Sequence, residues 1–198
     1  MTLTRIVLAS SNVGKLREFQ QLFADQDSEI IPQSSLGVGE AEEPHATFVE
    51  NALAKARHAC RHTGLPAIAD DSGIVVNALA GEPGVHSARF AGEPRSDARN
   101  NEKLIELLRP HRDRRAHYYC VIVLVRHGLD PEPLIADGRW HGEVIDAPRG
   151  TGGFGYDPLF FLAQLGRTAA ELDALHKNRI SHRGIAATRL IELLQSSA

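Results

Sequence analysis

The sequence predicts an α/β fold built on a mixed sheet. Short apolar runs rich in β-branched residues alternate along the chain with stretches of helical periodicity, which sets the class. In the second half, strand-like runs follow one another without an intervening helix, which adds antiparallel pairs to the sheet. A chain of 198 residues with 42% hydrophobic content can bury a sizeable core, so residues 1–198 are read as a single domain.

The elements follow in order. Residues 5–9 read as a buried opening strand. Ser10, Ser11 and Asn12 come next, then a helix with Leu16, Phe19, Leu22 and Phe23 on one face. Residues 26–46 are expected to be irregular, punctuated by Pro32, Gly37, Gly39 and Pro44. Thr47 and Glu50 form a capping-box pattern opening a helix that Gly64 and Pro66 should end near Thr63. Residues 67–69 read as a short strand stopping at Asp70-Asp71-Ser72-Gly73, with strand character resuming over 74–79. Residues 81–92 are loop-like, and 96–108 read as a helix capped by Ser96 or Asp97. Residues 118–125 make the strongest strand; 134–136 and 140–145 read as two strands flanking a turn at Asp137-Gly138. Thr168 and Glu171 repeat the capping-box pattern before a short helix, and 184–195 form the last amphipathic helix.

Composition narrows the function. A net charge of −3 gives no general attraction to nucleic acid or to a membrane surface. The longest apolar run, 118–125, is far too short to span a bilayer, and the opening residues lack the apolar region of a signal peptide. Cys60 and Cys120 are far apart and sit in apolar segments, which fits buried free thiols in a reducing cytoplasm. No zinc pattern of the H-x-x-x-H or H-E-x-x-H kind is read from the histidines.

Four constellations can carry chemistry. Ser10-Ser11-Asn12-Val13-Gly14-Lys15 lies between a strand and a helix, where unpaired N–H groups, a bare glycine backbone and an ammonium suit a phosphate. It lacks Walker spacing, and its plainer reading is N-capping by Ser11 or Asn12 with Lys15 in solvent. Glu42, Glu43, Asp70 and Asp71 form an acidic set. Carboxylates near a phosphate repel it unless a cation such as Mg²⁺ lies between, and a further carboxylate can deprotonate an attacking water; the plainer reading is a turn and a solvated pair. Gly152 to Pro158 sets Phe154 and Tyr156 among glycines, a place for a base to stack or a tight turn with buried rings. Lys177 and Ser181-His182-Arg183-Gly184 bring donors and cations to a helix start, or simply cap it.

In this order, LASSNVGKLREF, TFVENALAKA, ADDSGIVVNALAGEPGVHSARFAG, GTGGFGYDPLF and ISHRGIA strongly resemble the inosine/xanthosine triphosphate pyrophosphatase (Ham1-like) family. The resemblance covers the chain from Ile6 to about Leu194, with Ser10 where many members carry Thr. It implies two lobes around a central nucleotide cleft, a homodimer, a cytoplasmic location, and Mg²⁺-dependent hydrolysis of ITP, dITP and XTP to the monophosphate and pyrophosphate. It implies that Ser10, Ser11, Asn12, Val13, Gly14 and Lys15 hold the phosphates, with Lys55 near them. Asp71 becomes general base and metal ligand, Ser72 a substrate contact, and Glu43, with Glu42 as the alternative, completes the metal site. Phe154, Gly155, Tyr156 and Asp157 would line the base pocket, and Lys177, His182 and Arg183 would contact the base. The Maf-like pyrophosphatases are the nearer rival, but their Ser-x-Ser-x-Arg-Arg opening is not matched here. A nucleotide- or RNA-binding module without turnover is the more distant rival.

Overall fold

The computed structural model describes residues 3–24 and 28–196. The main elements are β1 (Arg5–Leu8), α1 (Val13–Leu22), β2 (Glu29–Pro32), α2 (Phe48–Thr63), β3 (Ala67–Val76), α3 (Asp97–Leu108), β4 (Arg115–Val125), β5 (Leu134–Val144), β6 (Phe160–Leu162), β7 (Arg167–Thr168), α4 (Ala174–Ile180) and α5 (His182–Ser196). The strands lie in the order β2-β1-β3-β4-β5-β6-β7. β1 runs parallel to β2 and β3, while β6 runs antiparallel to β5 and β7. The sheet is mixed, as the sequence predicts.

Four local expectations need correction. Of residues 26–46, 26 and 27 lie outside the described residues, and the remainder is not all irregular. Glu29–Pro32 pairs with β1 and is followed by a 3-10 turn over Gln33–Leu36. A four-residue strand ending on proline gives almost no periodicity to read. β3 does not stop at Asp70; it continues through Asp70-Asp71-Ser72-Gly73 to Val76. Side-chain cations meet one carboxylate oxygen of each aspartate, Lys15 and Arg183 at Asp70 Oδ2 and Lys55 at Asp71 Oδ1, so neither needs a solvated turn. Gly73 permits the passage, because a Cβ there would meet the Gly84 carbonyl oxygen at 2.3 Å and Ser87 Oγ at 2.4 Å. β5 likewise runs straight through Asp137-Gly138. Alternate residues Ala136, Gly138 and Trp140 are buried, so the two-residue period is unbroken, and Arg189 of α5 holds the Asp137 carboxylate and carbonyl. Finally, the Thr168–Glu171 capping box forms as expected but opens only a 3-10 turn over Ala169–Glu171; a separate helix, α4, follows, capped by Asp173, and α5 starts at His182, two residues earlier than expected.

The chain divides into two compact units. One comprises residues up to Asp71, Cys120–Gly138 and Arg183 onward. Its core joins Ile6, Leu8, Phe19, Phe23, Ile68, Ile122, Leu124 and Leu190. Phe19 and Phe23 of the predicted α1 face stack at 6.1 Å. The other comprises Ser72–Tyr119 and Arg139–His182. It packs Ile74, Leu104, Leu108, Tyr118, Trp140, Tyr156 and Phe160. Each fully buried side chain of this size contributes about 1.5–3 kcal/mol. Both cysteines are buried free thiols. Among the described residues, no helix is long and apolar enough to cross a membrane.

Candidate active site

In the first unit the site is built on the β1–α1 turn, α2 and the middle of β3. Asn12 caps α1, its Oδ1 accepting from the Lys15 amide at 3.1 Å, while the Asn12 amide donates to Ser10 Oγ. Capping therefore occurs, but Lys15 does not lie in solvent. Its Nζ sits 3.0 Å from Asp70 Oδ2, with the side chain only 15% exposed. Ser11, Asn12 and Val13 are exposed at the turn, with Gly14 half-buried behind them. The Ser11 hydroxyl donates to Glu40 Oε1.

Asp70 and Asp71 are neighbours in one strand, so their side chains leave opposite faces and meet different partners. Asp70 is buried against Lys15, against Arg183 Nη2 at 3.1 Å, and against the Cys120 thiol at 3.9 Å. Arg183 is itself fully enclosed and also ion-paired with Glu18 of α1. Burial alone would raise the Asp70 carboxyl, but Lys15, Arg183 and Lys55 outweigh it and hold it far below the usual carboxylate range. Beside it, burial and Asp70 push the Cys120 thiol well up, so it stays protonated and inert.

Asp71 faces α2. Its Oδ1 is 3.2 Å from Lys55 Nζ and its Oδ2 accepts from Asn51 Nδ2 at 3.3 Å. Asn51 and Lys55 are four residues apart, hence on one helix face. Lys55 Nζ also lies 2.6 Å from Glu43 Oε1. Burial raises the Asp71 carboxyl; Glu43 adds to this, and Lys55 and Lys15 oppose it without reversing it. A carboxylate displaced upward and held by two donors is suited to accept a proton. Burial disfavours the Lys55 ammonium, yet Asp71, Asp70 and Glu43 more than restore it.

Of the three carboxylates expected at a metal, two converge. Asp71 and Glu43 share one cation, Lys55 Nζ, while Glu42 is exposed. Among the described residues no group of three or more His, Cys, Asp or Glu is gathered for a metal ion. Two hard carboxylates focused on one positive charge nonetheless fit a cation such as Mg²⁺, which takes one or two protein carboxylates and fills its remaining positions with water and phosphate oxygens.

In the second unit, Ser72 is half-buried in β3 directly after Asp71. The glycine loop is held by Asp157, whose Oδ2 accepts from the Phe154 amide at 3.0 Å and from Lys177 Nζ at 2.7 Å. Gly153, at φ +72°, is required: a Cβ would fall 2.0 Å from that oxygen. Phe154 is half-buried with the Lys177 ammonium 5.1 Å from its ring centroid. Tyr156 is not presented on the loop. Its ring lies in the core and its hydroxyl donates to the Ser87 carbonyl at 2.8 Å. The Gly155 amide donates to Asp97 and its carbonyl accepts from Asn101, so α3 fixes the turn. His182 is buried and stacked on Tyr118 at 4.6 Å with an interplanar angle of 9°.

Sequence reading missed Glu18, Glu40, Asn51, Asp97 and Asn101. Only Asn51 left a signal, since its four-residue spacing from Lys55 was visible. The histidine reading also needs correction: His58 and His62 of α2 do have H-x-x-x-H spacing, and their rings lie 4.3 Å apart.

Fold and charge pattern define a class, an α/β protein that sets buried lysines beside a carboxylate able to take a proton. The Ham1 family model matches residues 6–193, and the chain belongs to the Ham1 family. It is 64% identical to a Nitrosomonas europaea protein named dITP/XTP pyrophosphatase, over 98% of this chain and 96% of that one. A HAM1 protein from Coxiella burnetii superposes with a TM-score of 0.91 at 49% identity, covering 97% of this chain and 98% of that one. The Staphylococcus aureus Ham1 protein gives 0.87 at 42%, covering 98% and 100%.

Proposed function

We propose that the chain is a nucleoside-triphosphate pyrophosphatase that hydrolyses deaminated purine nucleotides (ITP, dITP and XTP) to the monophosphate and pyrophosphate. Its role is to keep hypoxanthine and xanthine out of the nucleotide pool. Relatives of this similarity carrying the name dITP/XTP pyrophosphatase support the substrate class. The observation that carries the chemistry is Asp71, buried, raised in pKa and held by Asn51 and Lys55.

Asp71 takes the proton of a water that attacks the α-phosphorus, and pyrophosphate leaves. Residues 10–15 hold the phosphates through turn amides, Ser and Asn side chains and Lys15. Lys15 and Lys55 offset charge on the leaving group, so the catalysis is mainly electrostatic and positional. Glu43 and Asp71 would hold Mg²⁺, which supplies further neutralisation of the phosphate oxygens when bound. Ser72 contacts substrate. Phe154, Gly155, Asp157 and Lys177 serve the base, with Phe154 stacking, and His182 offers a donor to its 6-keto oxygen. Arg183 enters in a changed role. Its guanidinium engages Asp70 and Glu18, so it positions Asp70 and through it Lys15. The working form is a cytoplasmic homodimer.

Hydrolysis of ITP in ¹⁸O-water tests the bond cleaved. Label should appear in IMP. Label in orthophosphate, with IDP as product, would mean γ-phosphate removal and end this reading. In a panel of triphosphates, ITP, dITP and XTP should be turned over far faster than ATP and GTP.

A further inference from the structure

We infer that the outer face of α2 carries a second anion site, separate from Lys15 and Lys55, that takes a multiply charged phosphate of pyrophosphate size. Arg57, His58, Arg61 and His62 line a cavity of about 390 Å³ together with Ala41 and Ala54. That volume lies in the range of small-molecule sites, about 300–1,000 Å³. Arg57 and Arg61 are four residues apart, as are His58 and His62, so all four side chains emerge along one stripe of the helix.

Three observations favour an anion. First, among the described residues neither Arg57 nor Arg61 forms an ion pair, so both guanidinium charges on this cavity are uncompensated by a carboxylate. Second, Arg57 Nε is buried with no hydrogen-bond partner among the described residues. A buried unsatisfied donor calls for a missing partner such as an ion or water. Third, the nearby acid does not neutralise the stripe. Asp130 offers Arg57 only its backbone carbonyl, at 3.4 Å, and its carboxylate is held by Arg126 at 2.9 Å.

The histidines are anchored. His58 Nε2 lies 3.2 Å from the Gly39 carbonyl and His62 Nδ1 lies 2.9 Å from the His58 carbonyl. These contacts fix the rings beside the guanidinium groups. They also set up the competing occupant, since neutral imidazoles anchored this way leave one lone pair each for a transition metal. Two uncompensated arginines on the same cavity disfavour a cation there and favour a phosphate, which guanidinium binds in bidentate fashion.

The site does not depend on the proposed activity, and its test needs no turnover. The full chain, in chelator, is titrated with inorganic pyrophosphate while backbone amide shifts are followed by NMR. Shifts are expected at residues 57–62, separate from any at 10–15 and at Glu40, whose carboxylate accepts from Ser11. Arg57→Gln/Arg61→Gln should abolish the first set or weaken its apparent affinity at least tenfold, leave the second set intact, and leave the melting curve and ITP turnover near those of wild type. Lys15→Ala should do the reverse. A parallel titration with a non-hydrolysable nucleoside triphosphate shows whether the site takes free pyrophosphate alone or also a nucleotide's phosphates. Pyrophosphate shifts at 57–62 that survive the double substitution would overturn the inference, as would their absence in wild type. A response of these amides to Ni²⁺ but not to pyrophosphate would give the stripe to a metal instead.

Discussion

Asp70→Asn should be costly to the fold, although the family resemblance gives the catalytic role to its neighbour Asp71. The substitution keeps shape and removes one negative charge from between Lys15 and Arg183. Removing one member of a buried ion pair costs about 3–5 kcal/mol, because the remaining charge is stranded. Here Arg183 keeps Glu18, and Lys15 is 15% exposed, so the lower end, about 3 kcal/mol, is expected. With a urea slope of about 1–3 kcal/mol/M, the midpoint should fall by about 1–3 M. The pH dependence has a definite sign. The folded-state pKa of Asp70 is depressed, so its contribution is complete above the unfolded value of about 3.9 and is lost as pH falls toward the folded value. The gap between wild type and variant should therefore be constant from about pH 5 to 8 and narrow below about pH 4. Urea melts followed by fluorescence of Trp140, the single tryptophan, measure both quantities. Equal midpoints at pH 7, or a gap that persists unchanged at pH 3, would refute the assigned role of Asp70.

The remaining predictions concern turnover and assembly. Asp71→Asn should lower kcat by roughly 10²–10⁴-fold. Because the Asp71 carboxyl is raised in the folded state, ionising it there costs stability at neutral pH, so the inactive variant should melt no lower than wild type; an active or clearly destabilised variant contradicts this. Arg183→Ala should lower kcat/KM for ITP, XTP, ATP and GTP alike, since it acts through Asp70; a fall confined to the 6-keto nucleotides would return Arg183 to the base pocket. Sedimentation at micromolar concentration should give about twice the 21.6 kDa chain mass, and a clean monomer would exclude the homodimer.

What the sequence made legible were elements with a strong period or a strong cap. α2 is bounded by Thr47 and Gly64 as expected, and Phe19 and Phe23 lie in the core. Composition misled where tertiary partners override local chemistry. Asp-Asp-Ser-Gly and Asp-Gly are turn dipeptides on local grounds, yet lysine and arginine partners distant in sequence keep both inside strands. The proposed site was legible as a list of residues and not as an arrangement. Nothing local distinguishes Asp70 from Asp71; the strand's alternation sends one to Lys15 and Arg183 and the other to Asn51 and Lys55. Glu43 and Glu42 were likewise equivalent until one turned to Lys55 and the other to solvent.

The chain passes from one compact unit to the other at four peptide bonds, after Asp71, Tyr119, Gly138 and His182. This has a consequence for how the protein is made. The unit that begins at the N-terminus has its first strands and α2 early, but the guanidinium that meets Asp70 is encoded 113 residues later. Until α5 leaves the ribosome, Asp70 and Lys15 lack Arg183, and Phe19, Ile122 and Leu124 lack the Ala186, Ala187 and Leu190 surface of their cluster. The other unit, whose segments run from Ser72 to His182, has its full sequence before then. A ribosome stalled with the last helix still inside its exit tunnel would therefore hold a nascent chain able to assemble one core while the other stays open, the Asp70–Arg183 pair still unmade.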